Sequence, residues 1–177
     1  MVDSKTQILS SEEQVGSIFD QAEFLYLRDI SEPNDNALRL VVEEARVNSS
    51  KTAPISVLPD HFSEILKDAS PIEATEGCKV FELRWDHYVA YLVTEEVVGS
   101  SGGHFEEVYS GNLLRLYSKS QFLDYLDRNT GGHVEPLRHY KLICLNHLID
   151  VASYEAPDIR LLNATSRDES EPSLRVN

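Results

Sequence analysis

The residues that could do chemistry lie in the middle and last third of the chain. Gly99-Ser100-Ser101-Gly102-Gly103 matches the Gly-x-Ser-x-Gly pattern. That pattern activates a serine only where it sits strained between a strand and a helix, beside free N–H groups. Here His104 to Tyr109 reads as strand, so the segment is expected to be a hairpin loop rather than a nucleophile elbow. Glu95-Glu96 and Glu106-Glu107 flank this loop. Closed as a hairpin, it would bring the two pairs together across the strands. Paired carboxylates do acid–base work when one is held protonated. Like charges facing each other also simply repel. The four glutamates are therefore taken as solvated negative surface open to a partner.

Histidines raise the question of a metal. Zinc needs three or four N, S or carboxylate ligands converging on one point. His139 and His147 are eight residues apart, and His147 would share a face with Asp150 only on a helix. These three form the alternative metal set. His87, His104 and His133 fall in predicted loops. No His-Glu-x-x-His, Cys-x-x-Cys or His-x-His pattern accompanies them, and neither a metal nor another cofactor is expected. Aromatic residues crowd the same region: Trp85, Tyr88, Tyr91, Tyr109, Tyr117, Tyr125 and Tyr140. Most suit a sheet-face core with a polar tip at the surface. Asp86-His87 beside Trp85 is the expected recognition surface, since Trp and Tyr anchor interfaces.

The elements that must position these residues follow from periodicity. Ser10 to Glu13 reads as a capping box opening a short helix to about Ala22. Phe24 to Ile30 and Ala37 to Val47 read as an antiparallel pair around the turn-rich 31–36. Pro54 and Pro59 bracket an edge segment, and Asp60 caps a short helix through Lys67. The stretch from Cys78 to Leu126 is the expected centre of the fold. Phe81, Leu83 and Trp85 alternate on one strand face. Asp86-His87 is a tight turn without the usual Gly. Tyr88 to Glu95 is apolar on both faces, which predicts a central strand. Gly111-Asn112 predicts a hairpin, and Ser118 to Gln121 a capping box for a helix ended by Gly131-Gly132. His139 to Leu145 alternates as a strand. Asn146 to Val151 fits a helical turn or a continued strand. Ile159 to Leu162 is a final strand.

Composition bounds the rest. The chain has 177 residues, 41% of them hydrophobic, enough for one domain with a core. The longest apolar run is far too short for a bilayer, and the start lacks a signal-peptide pattern. Cys78 and Cys144 are the two cysteines. They suit buried positions in a reducing cytoplasm, not a disulfide framework. The net charge is −14. That opposes nucleic acid and anionic membranes and favours a basic protein partner. Eight acids against Lys5 and Arg28 lie in residues 1–36 alone.

The expected fold is α+β: a single domain over 10–163, mainly an antiparallel meander with two or three short helices on one side. Residues 1–9 are expected to be a flexible arm and 164–177, polar and without periodicity, a disordered tail. The expected function is an acidic protein-binding module, in the manner of an inhibitor or immunity-type protein, using Trp85, Asp86, His87, Glu95, Glu96, Glu106 and Glu107. The alternative is a small metal-dependent or acid/base enzyme using His139, His147 and Asp150.

Overall fold

A computed structural model describes residues 18–51, 69–99, 106–132 and 136–162. The strands are β1 (Phe24–Ser31), β2 (Leu38–Val47), β3 (Ile72–Glu73), β4 (Val80–Trp85), β5 (Tyr88–Glu95), β6 (Val108–Ser110), β7 (Leu114–Lys119), β8 (Arg138–Ile143), β9 (His147–Ser153) and β10 (Asp158–Leu162). The helices are a single turn, α1 (Glu96–Gly99), and α2 (Gln121–Thr130). The helices read at 10–22 and 60–67, the edge segment 55–58, the arm and the tail lie wholly or mostly outside the described residues. Among those residues, α2 is the one helix longer than a turn. No helix there is long and apolar enough to cross a membrane.

The composition is α+β and, among the described residues, every strand pairing is antiparallel, but they build two sheets rather than one meander. The first runs β1-β2-β4-β10, with β3 on the far end of β2; the second runs β5-β9-β8-β7-β6. Alternation decides which side chains meet. Leu38, Leu40 and Val42 of β2 join Phe81, Leu83 and Trp85 of β4 and Ile159 of β10. Leu114, Tyr140, Leu142, Ile149 and Val151 of the second sheet complete the same core. Among the described residues, the first sheet's apolar face is covered by the second sheet. Phe19 also enters this core, its ring edge-on to Phe81 at 4.9 Å.

Two expectations change as a result. Asp86-His87 closes no hairpin; it steps the chain from the first sheet to the second. β5 is an outer strand, not a central one. Its two apolar faces misled because Tyr91 turns towards the core while Leu92 and Val93 stand 50% and 37% exposed at the edge. Elsewhere the expected pairs form. β1 pairs β2 with a bulge at Arg28. β6 pairs β7 around Gly111, whose φ of 87° only glycine adopts freely. Residues 147–153 are strand, not helix.

The first sheet's outer face neutralises itself. Arg39 bridges Asp29 and Glu82, and Arg28 meets Glu43 at 3.5 Å. Much of the acid in this sheet is thus balanced internally.

Candidate functional site

The two crossovers between the sheets run side by side. One is the β4–β5 turn; the other is the β9–β10 loop, 154–157. Between them lies a cleft of ≈ 330 Å³ lined by Arg84, Trp85, Asp86, His87, Tyr154, Glu155, Ala156 and Asp158. Each wall has a local cause. Trp85 is the last inward residue of β4 and is only 2% exposed, so it anchors the turn from below. Tyr88 N–H then donates to Asn36 O at 2.8 Å, which pins the start of β5. In the other wall, Ser153 Oγ donates to Glu155 O at 2.7 Å and bends the chain out of β9. Pro157 is buried and directs it into β10 with a fixed φ. The His87 and Tyr154 rings stand 6.4 Å apart and within 17° of parallel, joining the two walls.

The cleft's charges are unequal. Arg84 Nε donates to Asp86 at 3.0 Å, and Asp158 lies 3.8 Å from Arg160. The Glu155 carboxylate has no cation or hydrogen-bond donor among the described residues. The surface is therefore negative, aromatic and open. Its volume sits at the lower end for binding pockets, enough for one side chain or a small group.

The seven expected partner residues divide. Trp85, Asp86 and His87 come together in this cleft. Glu95 lies at the far end of β5, about 24 Å along an eight-residue strand, and Glu96 opens α1. Glu106 pairs with Lys119 at 3.3 Å, and Glu107 accepts the Gln121 N–H at 3.1 Å. The two glutamate pairs do not face each other. β5 and β6 are the opposite outer strands of one sheet, with three strands between them. Residues 100–105, including the Gly-x-Ser-x-Gly serine, lie outside the described residues, as does His133.

The alternative metal set does not converge. His147 shares its strand face with Ile149 and Val151 of the core, whereas Asp150 points to the other side. His139 and Asp150 do meet, in an arrangement that spacing did not reveal. Ser120 Oγ lies 2.8 Å from His139 Nδ1, and His139 Nε2 lies 2.8 Å from Asp150 Oδ1. Lys141 Nζ approaches the same carboxylate oxygen at 3.4 Å. A Ser-His-Asp line is what a hydrolase uses to activate its serine. Here it is closed. Ser120, His139 and Asp150 are all buried, and Tyr117 and Phe122 enclose the imidazole at 4.5 and 5.2 Å. Ser120 is also the N-cap of α2, accepting from Leu123 N–H at 3.1 Å. Its carbonyl takes Asp124 N–H, and Glu107 takes Gln121 N–H. Among the described residues, three of the first N–H groups of α2, those of Gln121, Leu123 and Asp124, are thus already bonded and not free for an oxyanion. The line serves to lock α2 onto β8 and β9.

This cap is two residues later than the sequence suggested. Ser118 belongs to β7, and its Oγ donates to Val108 O. The thiols offer no nucleophile either: Cys78 and Cys144 are buried, and burial pushes the Cys144 thiol up to about 12.

No protein-family model matches the chain, and neither a curated protein nor a solved structure does.

Proposed function

We propose that this protein is an acidic binding module that seats a basic segment of a partner protein at the cleft between the β4–β5 turn and the β9–β10 loop. One observation carries the reading: the cleft combines the His87 and Tyr154 rings with a Glu155 carboxylate that no cation among the described residues neutralises. Aromatic rings beside a carboxylate add a cation–π contribution to its Coulomb attraction for a cation. The overall −14 charge adds long-range steering towards a basic partner. It disfavours nucleic acid and anionic membranes for the same reason. Occupying the partner, as an inhibitor or immunity-type protein does, is work that needs no reactive group. Two buried thiols suit a reducing, cytoplasmic setting.

The test is binding of the full chain to immobilised lysine- and arginine-rich peptides, with an acidic peptide as control. Binding to the basic peptides should weaken at least tenfold between about 0.05 and 0.5 M salt, because the Debye length shrinks across that range. No binding, or binding indifferent to salt, would contradict the reading.

A further inference from the structure

We infer that the cleft selects an arginine side chain over a lysine, and that the arginine is borne on a polypeptide. This rests on the reading above and narrows it to one ligand chemistry. The inference comes from the shapes of the groups that surround the cleft. His87 and Tyr154 are stacked on each other, nearly parallel and 6.4 Å between centroids, so a ligand can extend the stack on an outer ring face. A planar guanidinium stacks on such faces, whereas a compact ammonium has no plane to match them. Glu155 supplies a carboxylate with no partner among the described residues, able to take two parallel N–H bonds from a guanidinium. Asp158, only loosely held at 3.8 Å by Arg160, is a second acceptor on the same wall.

The chain's own arginine does not fill this place. Arg84 lies in the wall, but its Nε is committed to Asp86 at 3.0 Å. The cleft thus contains one guanidinium–carboxylate pair and, in Glu155, a carboxylate with no partner among the described residues. The limited volume of ≈ 330 Å³ takes a single extended side chain and leaves the rest of the ligand outside. A segment of polypeptide meets that requirement, since its backbone continues past the rim.

Trp85 makes the inference measurable. It is the only tryptophan of the chain and it lines the cleft. Its emission should respond to occupancy. The full-length protein is titrated with N-acetyl-arginine amide, with the lysine analogue and with free arginine. The expected result is a saturable Trp85 response to the capped arginine, at an affinity at least fivefold tighter than for capped lysine. Glu155→Gln, on an exposed loop and expected to keep the wild-type melting temperature, should weaken capped arginine at least fivefold. Tyr154→Leu should reduce the preference over lysine.

Equal affinities for arginine and lysine would overturn the selectivity. Tighter binding of free arginine than of the capped form would overturn the polypeptide source. A silent Trp85 and unchanged Glu155→Gln binding, while basic peptides still bind elsewhere, would overturn this inference and leave the wider reading standing. Silence towards every basic probe would remove both.

Discussion

His139 Nε2 lies 2.8 Å from Asp150 Oδ1 on a diagonal of the β8–β9 ladder, with both residues almost wholly buried. The bond fixes the imidazole so that Nδ1 can accept from the Ser120 hydroxyl, which in turn caps α2. Removing the imidazole leaves a buried carboxylate with Lys141 as its remaining partner. His139→Ala should therefore cost about 3 kcal/mol or more in chemical denaturation. Ser120→Ala should cost about 1 kcal/mol, the usual value of an N-cap. The double variant should cost less than the sum, since both remove the same string of bonds. Strict additivity would show that the string does not act as a unit.

Gly111 turns β6 into β7 with φ at 87°. A Cβ added there would collide with the Leu114 carbonyl oxygen. Backbone strain and collision act together, so Gly111→Ala should destabilise by about 2 kcal/mol or more. The loss should appear in the urea midpoint. Hydrogen exchange should rise first in β6 and β7. A neutral substitution would mean that this turn adopts another geometry in solution.

Tyr88 and Tyr91 give the fold an alkaline limit. Burial first, then the Glu32 carboxylate, raises the Tyr88 hydroxyl above its ordinary value; for Tyr91 the hydrogen bond to Glu32 comes first. In both, folding favours the neutral phenol. That contribution is complete below the unfolded value of 10.0 and is lost as pH rises through the higher folded value. Buried Cys144 acts with the same sign, starting from 9.0. Stability should therefore fall above about pH 9–10, and tyrosinate absorbance should lag behind that of free tyrosine. Tyr91→Phe should flatten the fall at the cost of one hydrogen bond, under about 1 kcal/mol because the pair is open to solvent. An unchanged alkaline slope in this variant would contradict the assignment.

Cys144 should be inert while the protein is folded. The residue is 1% exposed and burial pushes its thiol up to about 12, so little thiolate exists near neutral pH. A thiol reagent should label it only at the rate of unfolding, and denaturant should remove the protection. Rapid labelling of Cys144 in native buffer would show that the second sheet opens locally.

Local signals carried the strands well. The alternation of Phe81, Leu83 and Trp85, the turn chemistry at Gly111 and the left-handed Gly131 after α2 all appear where periodicity and backbone freedom place them. What stayed hidden depends on which strand lies beside which. Tyr88 to Glu95 looks the same on an edge as in a centre, because apolar residues on both faces report burial and not position. The nearness of Trp85, Asp86 and His87 was legible, since they are consecutive at a turn, and they line one wall of the cleft. Its other wall was not. Tyr154-Glu155-Ala156-Pro157 reads as a connecting loop, and only the sheet crossovers bring it alongside residues some seventy positions earlier. The Ser120–His139–Asp150 line was missed for a related reason. The spacing of nineteen and eleven residues has no local meaning until β8 and β9 pair.

A hydrogen-exchange or hydroxyl-radical footprint of the full chain, with and without a bound arginine-rich peptide, shows whether a basic partner seats between the two crossovers. Protection should centre on 84–87 and 154–158, with the outer face of the first sheet unchanged. Protection centred instead on Arg28, Arg39 and Glu82 or on the Glu95 end of β5, with 84–87 and 154–158 unaffected, would contradict that seating.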